Sequence, residues 1–456
     1  MSAKKITKNH LTLLSLSVFL LAWNIPASAE DLTAVYQQAA QNNATYQAAR
    51  MTYEAAKENI PITFSALLPT VTVGSPTTAF ARNFNTHQTI TSFGLTATQP
   101  VFNYSDWKTY TQAQFQLKQD ALTYSQALQT LTNTVATDYF QVLEDQEQLR
   151  FSVANVRSNQ ENLDQAEQQY KVGLKAITDV QSAKATYESA VATQINDENQ
   201  VQDALQTLSA LTGQPEKQLS LLKSDFPKIK PSPADPSVWV RTAMKHNLNV
   251  LLAQEQVEID KAGVQVQEAA FYPTANVQGT YAYVNTTGAS SANTTTASVN
   301  ASWTVFSGFS TVHSVKQSEF TQSSDQDTYL QQQRDTASQT QSDYLTVLSD
   351  IAQIEAYKQA VISGEASVKA AKAQYQVGTT TIYDLLQEQT NLFQAEQQYA
   401  TSLYQYINDS LKLKTDAGLL SSQDIMAINN WLEIPTVPAA GSSSTPSTPA
   451  SSDGQY

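Results

Sequence analysis

The chain of 456 residues contains no cysteine. It therefore forms no disulfide, and it cannot carry an N-terminal lipid on a cysteine side chain. A chain without such links has to be stabilised by packing and by assembly with other chains.

Histidine is scarce as well, and the chain lacks catalytic motifs. The four histidines are His10, His87, His246 and His313. They are scattered, and no pair has the spacing of metal ligands. A P-loop and a glycine-rich nucleotide fingerprint are also absent from the sequence. Glu144, Asp145 and Glu147 are interpreted as a solvated helix face rather than as a catalytic pair. The sequence thus predicts no enzyme activity and no cofactor.

Basic residues are outnumbered by acidic ones, and the only long apolar run is N-terminal. Residues 1–29 read as a secretory signal, with three lysines, the apolar run Leu11–Trp23 and a small-residue cleavage site at Ala27–Ala29. Subtracting those three lysines from 27 basic residues leaves 24 against 41 acidic ones, a net charge of −17. We therefore predict an exported protein without a transmembrane helix that does not bind nucleic acid.

The chain repeats itself at an offset of roughly 205 residues. The segment Tyr170–Val180 returns as Tyr375–Leu385, and Ala39…Asn43 returns as Ala243…Asn247. Matches at one offset predict a duplicated unit. We assign the organisation as follows: signal 1–29, first repeat 30–219, linker 220–236, second repeat with a C-terminal segment 237–434, and a Pro/Ser/Thr-rich disordered tail 435–456.

Each repeat predicts a helix, two strands and a long helical hairpin. The first helices are expected over Leu32–Ile60 and Ser237–Phe271, stopped by Pro69 and Pro273. Proline and glycine are missing over Asp106–Tyr170 and Ser310–Val361. A helix over the first of these runs is ~100 Å long and should pack as a coiled coil. Gly173 and Gly378 then end the long helices, and helices return to Leu211 and Ala417.

Four strand-like segments alternate apolar and polar residues. We predict strands at Thr70–Arg82, Gln88–Phe102, Ala275–Val284 and Thr296–Phe306, with loops at Ala81–His87 and Asn285–Thr295. Pro76 demotes the first strand to an edge or a bulge. Tyr281, Tyr283 and Trp303 are candidates for an aromatic belt at the membrane surface.

Four strands cannot close a membrane barrel, because an open sheet edge cannot face lipid. The smallest outer-membrane barrels have eight strands, which side chains fill; a wider ring leaves a lumen. The polar faces of the strands favour water inside. If the strands span a membrane, we therefore predict a homotrimer in the lipid bilayer: a trimeric twelve-stranded outer-membrane β-barrel, four strands per chain, continued by a long antiparallel α-helical barrel in the periplasm.

The sequence resembles the TolC family of trimeric outer-membrane efflux and export channels. Tyr170–Gln181 and Tyr375–Leu386 are similar to the family's tip motifs, and Gln423–Asn430 resembles part of its mixed equatorial segment. The resemblance covers nearly the whole mature chain. It implies an exit duct for drugs or secreted proteins that works with a periplasmic adaptor (membrane fusion) protein and with an inner-membrane pump or ABC transporter.

The resemblance also implies roles for residues at the tips and at the barrel. The gate positions are Thr178, Asp179, Tyr375, Thr380, Asp384 and Gln387. The adaptor-docking tips are Val172, Gly173, Leu174, Val377, Gly378 and Thr379, and the junction of barrel and helices is placed at Pro69, Pro100 and Pro273.

Two gate positions depart from the family's pattern. Thr380 stands where the family has an arginine, which removes a forked, charged donor. Gln387 stands where it has a second aspartate, which leaves Asp384 as one ring of three carboxylates in a trimer. Such a ring should attract cations. A different interpretation is that Asp179 and Asp384 cap the returning helices; it is equally good for Asp179, whereas the resemblance favours the pore for Asp384.

Two other classes of protein fit parts of the pattern. A soluble periplasmic coiled-coil scaffold or adaptor would also have long hairpins, with the strands forming a small sandwich. A trimeric surface adhesin fits less well, because the long helices are duplicated hairpins. The leading prediction is the passive export duct gated at its periplasmic helix tips.

Overall fold

The first half of the chain folds in the predicted order. The computed structural model describes residues 30–83, 86–215, 218–223, 225–287 and 290–433, so the predicted signal 1–29 and tail 435–456 lie outside the described residues. The elements of the first half are α1 (Leu32–Asn42), α2 (Ala44–Lys57), α3 (Asn59–Ser65), β1 (Thr70–Asn83), β2 (Thr86–Phe102), α4 (Tyr104–Lys171) and α5 (Ile177–Thr212).

The second half repeats this order after a short strand. Its elements are β3 (Leu221–Leu222), α6 (Pro236–His246), α7 (Leu248–Glu268), a 3₁₀ turn (Ala269–Phe271), β4 (Thr274–Thr286), β5 (Ala292–Ser302), α8 (Ser310–Gln376), α9 (Ile382–Asp416), α10 (Ser422–Asn429) and β6 (Leu432–Glu433). No helix of the described chain combines the length and the apolar character that crossing a membrane requires.

The first helix of each repeat is broken where one continuous helix was predicted. Asn43 and Asn247 have extended backbone conformations, and each side chain accepts a hydrogen bond from the first turn of the next helix. The same side chains also donate outward, Asn43 to the carbonyl of Leu211 at 3.5 Å and Asn247 to that of Asp416 at 2.8 Å. The break therefore ties each first helix to the end of the returning helix in its own repeat. A second break lies at Glu58, between α2 and α3 and three residues before Pro61.

The four long strands form one antiparallel sheet in the order β1-β2-β4-β5. Val73, Leu95 and Tyr281 lie side by side across three strands, and Thr72, Thr96 and Thr280 lie side by side one position away. The predicted alternation is therefore confirmed, with an apolar face and a polar face. β1 is an edge strand whose register shifts between Gly74 and Thr77, which confirms the expectation for Pro76.

The predicted loops between the strands were wrong. β1 and β2 extend through most of Ala81–His87, and β4 and β5 extend through most of Asn285–Thr295. Asn and Thr there have backbone partners across the hairpin, as in the pair Tyr281 and Thr295. β5 also ends at Ser302 rather than Phe306. Its last partner is Thr274, which follows Pro273, and proline has no N–H to extend the ladder.

The main core lies midway along the long helices. It gathers buried side chains of α1, α4, α5, α6, α8, α9 and α10, among them Tyr139, Phe140 and Tyr406. Hydroxyls of this core hold segment 220–236: Tyr139 donates to the carbonyl of Ser220 at 2.9 Å and Tyr406 to that of Ile229 at 2.9 Å. β3 of this segment pairs with β6. The segment predicted as a linker therefore packs against the long helices and contributes a strand to a small two-stranded sheet.

Candidate functional site: the hairpin tips

The two hairpin tips have the same backbone geometry. Gly173 and Gly378 have φ of 76° and 80°, the left-handed conformation that glycine adopts without strain. The next residue closes the turn in both: Leu174 donates its N–H to the carbonyl of Gln169 at 2.9 Å, and Thr379 donates to that of Gln374 at 3.0 Å. The repeated motif is therefore a repeated helix stop.

Apolar side chains project from these stops. Val172, Leu174 and Val377 are 69%, 73% and 74% exposed in the single chain. Large apolar side chains that protrude together commonly mark an interaction site. The six residues predicted as docking tips form the ends of the two hairpins.

Tyr375 joins the two tips of one chain. Its ring is 1% exposed and packs with Leu385 and Ile382 of α9. Its hydroxyl donates to Oε1 of Gln169 on α4 at 3.1 Å, and Nζ of Lys175 lies 4.6 Å from its ring centre. Burial, and after it the negative charge of Asp179, raises the pKa of Tyr375, so the hydroxyl remains a donor at neutral pH.

Asp384, the third residue of α9, forms a capping box with Thr381. Its main-chain N–H donates to Oγ1 of Thr381 at 3.2 Å, while its Oδ2 accepts from the main-chain N–H of Thr381 at 3.1 Å and from the hydroxyl of Thr380 at 2.9 Å. The hydrogen bonds from Thr381, and after them that from Thr380, lower the pKa of this exposed carboxyl. Asp384 is thus both a helix cap and a negative charge at neutral pH.

The first tip lacks this cap. Ala176 stands at the position of Thr381, and the carboxylate of Asp179 makes no hydrogen bond among the described residues. Capping, which was an equal alternative for Asp179, is therefore observed for Asp384 instead. Thr178 is exposed beside Asp179, and Gln387 is exposed on α9 with its amide donating to Asn391 at 3.0 Å.

A buried polar contact behind the tips was missed by the sequence reasoning. Asn162 of α4 donates to Gln389 of α9, and the Gln389 amide donates to Oγ of Ser158 at 3.1 Å. Asn162 and Gln389 are both buried. The signal for this contact is an amide at a coiled-coil core position, a feature known to fix register.

At the opposite end, aromatic residues and prolines mark the change from sheet to helix. Tyr281 and Tyr283 lie on the apolar face of β4, and Trp303 follows β5, with its indole N–H donating to the carbonyl of Phe271 at 3.0 Å. The remaining junction residues are placed as follows: Pro69 directly before β1, Pro273 directly before β4, and Pro100 beside a register shift of β2.

Comparisons with known proteins agree along the chain. The model of a family described as outer membrane efflux protein matches residues 35–214 and 239–419. The chain is 30% identical to outer membrane protein TolC of Escherichia coli K12 in an alignment of 448 positions that covers 94% of this chain and 90% of that protein. It is 24% identical to the alkaline protease secretion protein AprF of Pseudomonas aeruginosa, with 92% and 91% covered. The crystal structure of the Campylobacter jejuni CmeC outer membrane channel superimposes with a TM-score of 0.74 at 18% identity, covering 95% and 98%.

Proposed function

The chain belongs to the outer membrane efflux protein family, and from this premise we propose that three copies build one gated export duct. The chain is an exit duct of efflux or type I secretion, located in the outer membrane with a periplasmic portion. It is a passive conduit and not an enzyme. The soluble scaffold considered from the sequence is therefore set aside.

The four-stranded sheet is the observation that supports a trimer. One chain supplies four strands with two outer edges, β1 and β5, and an apolar face that includes exposed Val73 and Val299. Both features are unfavourable alone, since an unpaired edge and an apolar face need partners. Because neighbouring strands are antiparallel throughout, β5 of one copy can pair with β1 of the next. Three copies then close twelve strands around the polar face, with lipid outside.

The helices would continue this barrel. Each chain provides two hairpins, α4–α5 and α8–α9, which three copies extend into a tube of twelve helices. The tube would end at six tips. We assign docking of a periplasmic adaptor to the exposed Val172, Leu174 and Val377, with an inner-membrane pump or ABC transporter behind it. Two printed descriptions support these kinds of partner: the matching family is named for efflux, and one relative is named for secretion of alkaline protease.

The gate is proposed at the same tips. Tyr375 would hold the second hairpin against the first, and Asp384 would present one carboxylate per chain to the aperture. Asp179 and Thr178 would face the neighbouring second hairpin, while Thr380 and Gln387 make this gate less charged than the family's pattern. Opening would require the Tyr375–Gln169 link and the tip packing to yield.

Cross-linking tests the trimer directly, because the chain has no cysteine of its own. Cysteine pairs would be placed on the two edges, with Val71 or Val73 of β1 and Ala297 or Val299 of β5 as partners. Oxidation in membranes should give covalent dimers and trimers and no larger product. The matched control is Thr96→Cys with Thr280→Cys. These two positions face each other within one chain, so this variant should give no cross-linked dimers or trimers. Cross-linked products that stop at two chains, or that contain more than three, would refute the trimer.

A further inference from the structure

A polar cleft opens between the two long hairpins, away from the tips. Its volume is about 460 Å³, and all four long helices contribute to its wall. The acidic residues in the wall are Glu144 and Asp145 of α4 and Asp197 of α5, and the remainder is Gln148, Gln200, Gln353, Tyr357, Gln397, Gln398, Thr401, Ser402 and Gln405. The wall thus combines three carboxyl groups with amide and hydroxyl oxygens, and it includes no lysine or arginine.

Two of the three acids have hydrogen-bond donors. Glu144 accepts from the hydroxyl of Thr401 at 2.8 Å, and Asp145 accepts from the amide of Gln141 at 3.0 Å. Burial raises the pKa of both carboxyls, and for Asp145 the nearby charge of Asp197 raises it further. Asp145 and Asp197 are therefore close enough for their negative charges to interact.

The third acid of the wall, Asp197, is not fully satisfied by hydrogen bonds. It is 5% exposed, and its Oδ2 has no hydrogen-bond partner among the described residues. Oε1 of Gln148 in the same wall is also without a donor there. Burial of a carboxylate costs free energy unless the group is paired with a cation or is hydrogen-bonded. A ligand in the cleft that donates hydrogen bonds to these two oxygens would therefore be stabilised there.

The arrangement of the acids decides which donor fits. No three acidic or histidine side chains in the described part of the chain converge as ligands of one metal ion. A primary ammonium group has three N–H donors and a positive charge, and its alkyl chain can lie on an aromatic ring such as that of Tyr357. We propose that the cleft binds a small aliphatic diamine, with one ammonium on Asp197 and Gln148 and the other towards Glu144. All lining residues of this cleft belong to one chain, and none of them is among the proposed gate residues.

The probe is 1,4-diaminobutane, titrated calorimetrically into the full-length protein in detergent at constant ionic strength. Wild type should bind it and gain thermal stability. Asp197→Asn should weaken binding about tenfold or more, since a charge-assisted hydrogen bond is lost. The asparagine also removes a buried unpaired charge, so the variant should be no less stable than wild type without ligand. Asp203→Asn is the matched control: it makes the same change on the exposed side of α5 and should bind like wild type.

Three outcomes would overturn the proposal. The first is the absence of diamine binding by wild type, which would leave ordered water as the partner of Asp197. The second is an equal loss in the Asp197 and Asp203 variants, which would indicate only a diffuse negative field. The third is displacement of the diamine by magnesium at matched ionic strength, together with an equal loss of magnesium binding in Asp197→Asn. That result would assign the cleft to a hydrated metal ion.

Discussion

The hydroxyl of Tyr375 at the end of α8 donates to Gln169 near the end of α4, at a distance of 3.1 Å. These residues are 206 positions apart and belong to different repeats. The bond makes the two tips of one chain a single unit, so the tips should move together when the duct opens.

Removing this hydroxyl should loosen the closed tips. Tyr375→Phe keeps the buried ring and loses one hydrogen bond, which is worth about 0.5–1.5 kcal/mol in each chain. We expect a higher resting conductance in planar bilayers with little change in thermal stability. Tyr383→Phe is the control, since Tyr383 is exposed on the same hairpin and should behave as wild type. Equal conductance of both variants and wild type would exclude the link from the gate.

The charge and the cap of Asp384 can be separated by a pair of variants. Asp384→Asn removes the charge, so we expect the preference for cations over anions to fall strongly in bilayer recordings. Thr381→Ala breaks the capping box and keeps the charge, so its selectivity should stay near that of wild type. The lowered pKa implies that selectivity persists as the pH falls to ordinary carboxyl pKa values. A selectivity change in Thr381→Ala alone would leave Asp384 as a structural cap.

An arginine at position 380 should tighten the tips. The hydroxyl of Thr380 already contacts Asp384, so a guanidinium there can form a charge-assisted pair with a carboxylate of the tip. We expect Thr380→Arg to lower the resting conductance. Thr379→Arg adds the same charge to the neighbouring exposed position and serves as the control. An unchanged or higher conductance of Thr380→Arg would count against a gate weakened by the missing arginine.

Carboxyl pairs between α8 and α9 should make stability depend on pH. Burial, and after it the neighbouring charge of Asp409, raises the pKa of Asp350 to about 6. Burial and the neighbouring Asp343 also raise the pKa of Asp416, whereas the positive charge of Lys412 opposes this rise. A carboxyl with a raised pKa in the folded state binds its proton more tightly than in the unfolded chain, so its contribution to stability is present at low pH and is lost as the pH rises through that pKa.

We therefore expect the melting temperature, followed by the helical circular dichroism signal, to be a few degrees lower at pH 8 than at pH 5. Asp350→Asn imitates the protonated carboxyl and should reduce this difference, mainly by raising the value at pH 8. Asp327→Asn, an equal charge change on the exposed side of α8, should keep the full difference. A wild type that is more stable at pH 8 would contradict the assignment.

Much of the architecture followed from local sequence. The long helices follow from runs without proline and glycine, and their ends follow from Gly173 and Gly378, because glycine takes a positive φ without a steric cost. Strand alternation in β4 and β5 also predicted the apolar and polar faces. The errors fell where composition was ambiguous. Asn- and Thr-rich segments read as loops, yet the hairpin partner supplied their hydrogen bonds, and Asn43 and Asn247 read as ordinary helix residues.

The sequence by itself determined the duplication, the hairpins, the faces of the strands and the family, because these depend on neighbouring residues or on spacing along the chain. Only the tertiary structure decided that Tyr375 meets Gln169, that Asp384 rather than Asp179 is a cap, and that a buried oxygen of Asp197 has no hydrogen-bond partner in the described part of the chain. These relationships depend on side chains brought together across the two repeats or on single hydrogen bonds at helix ends, and neither is encoded in periodicity.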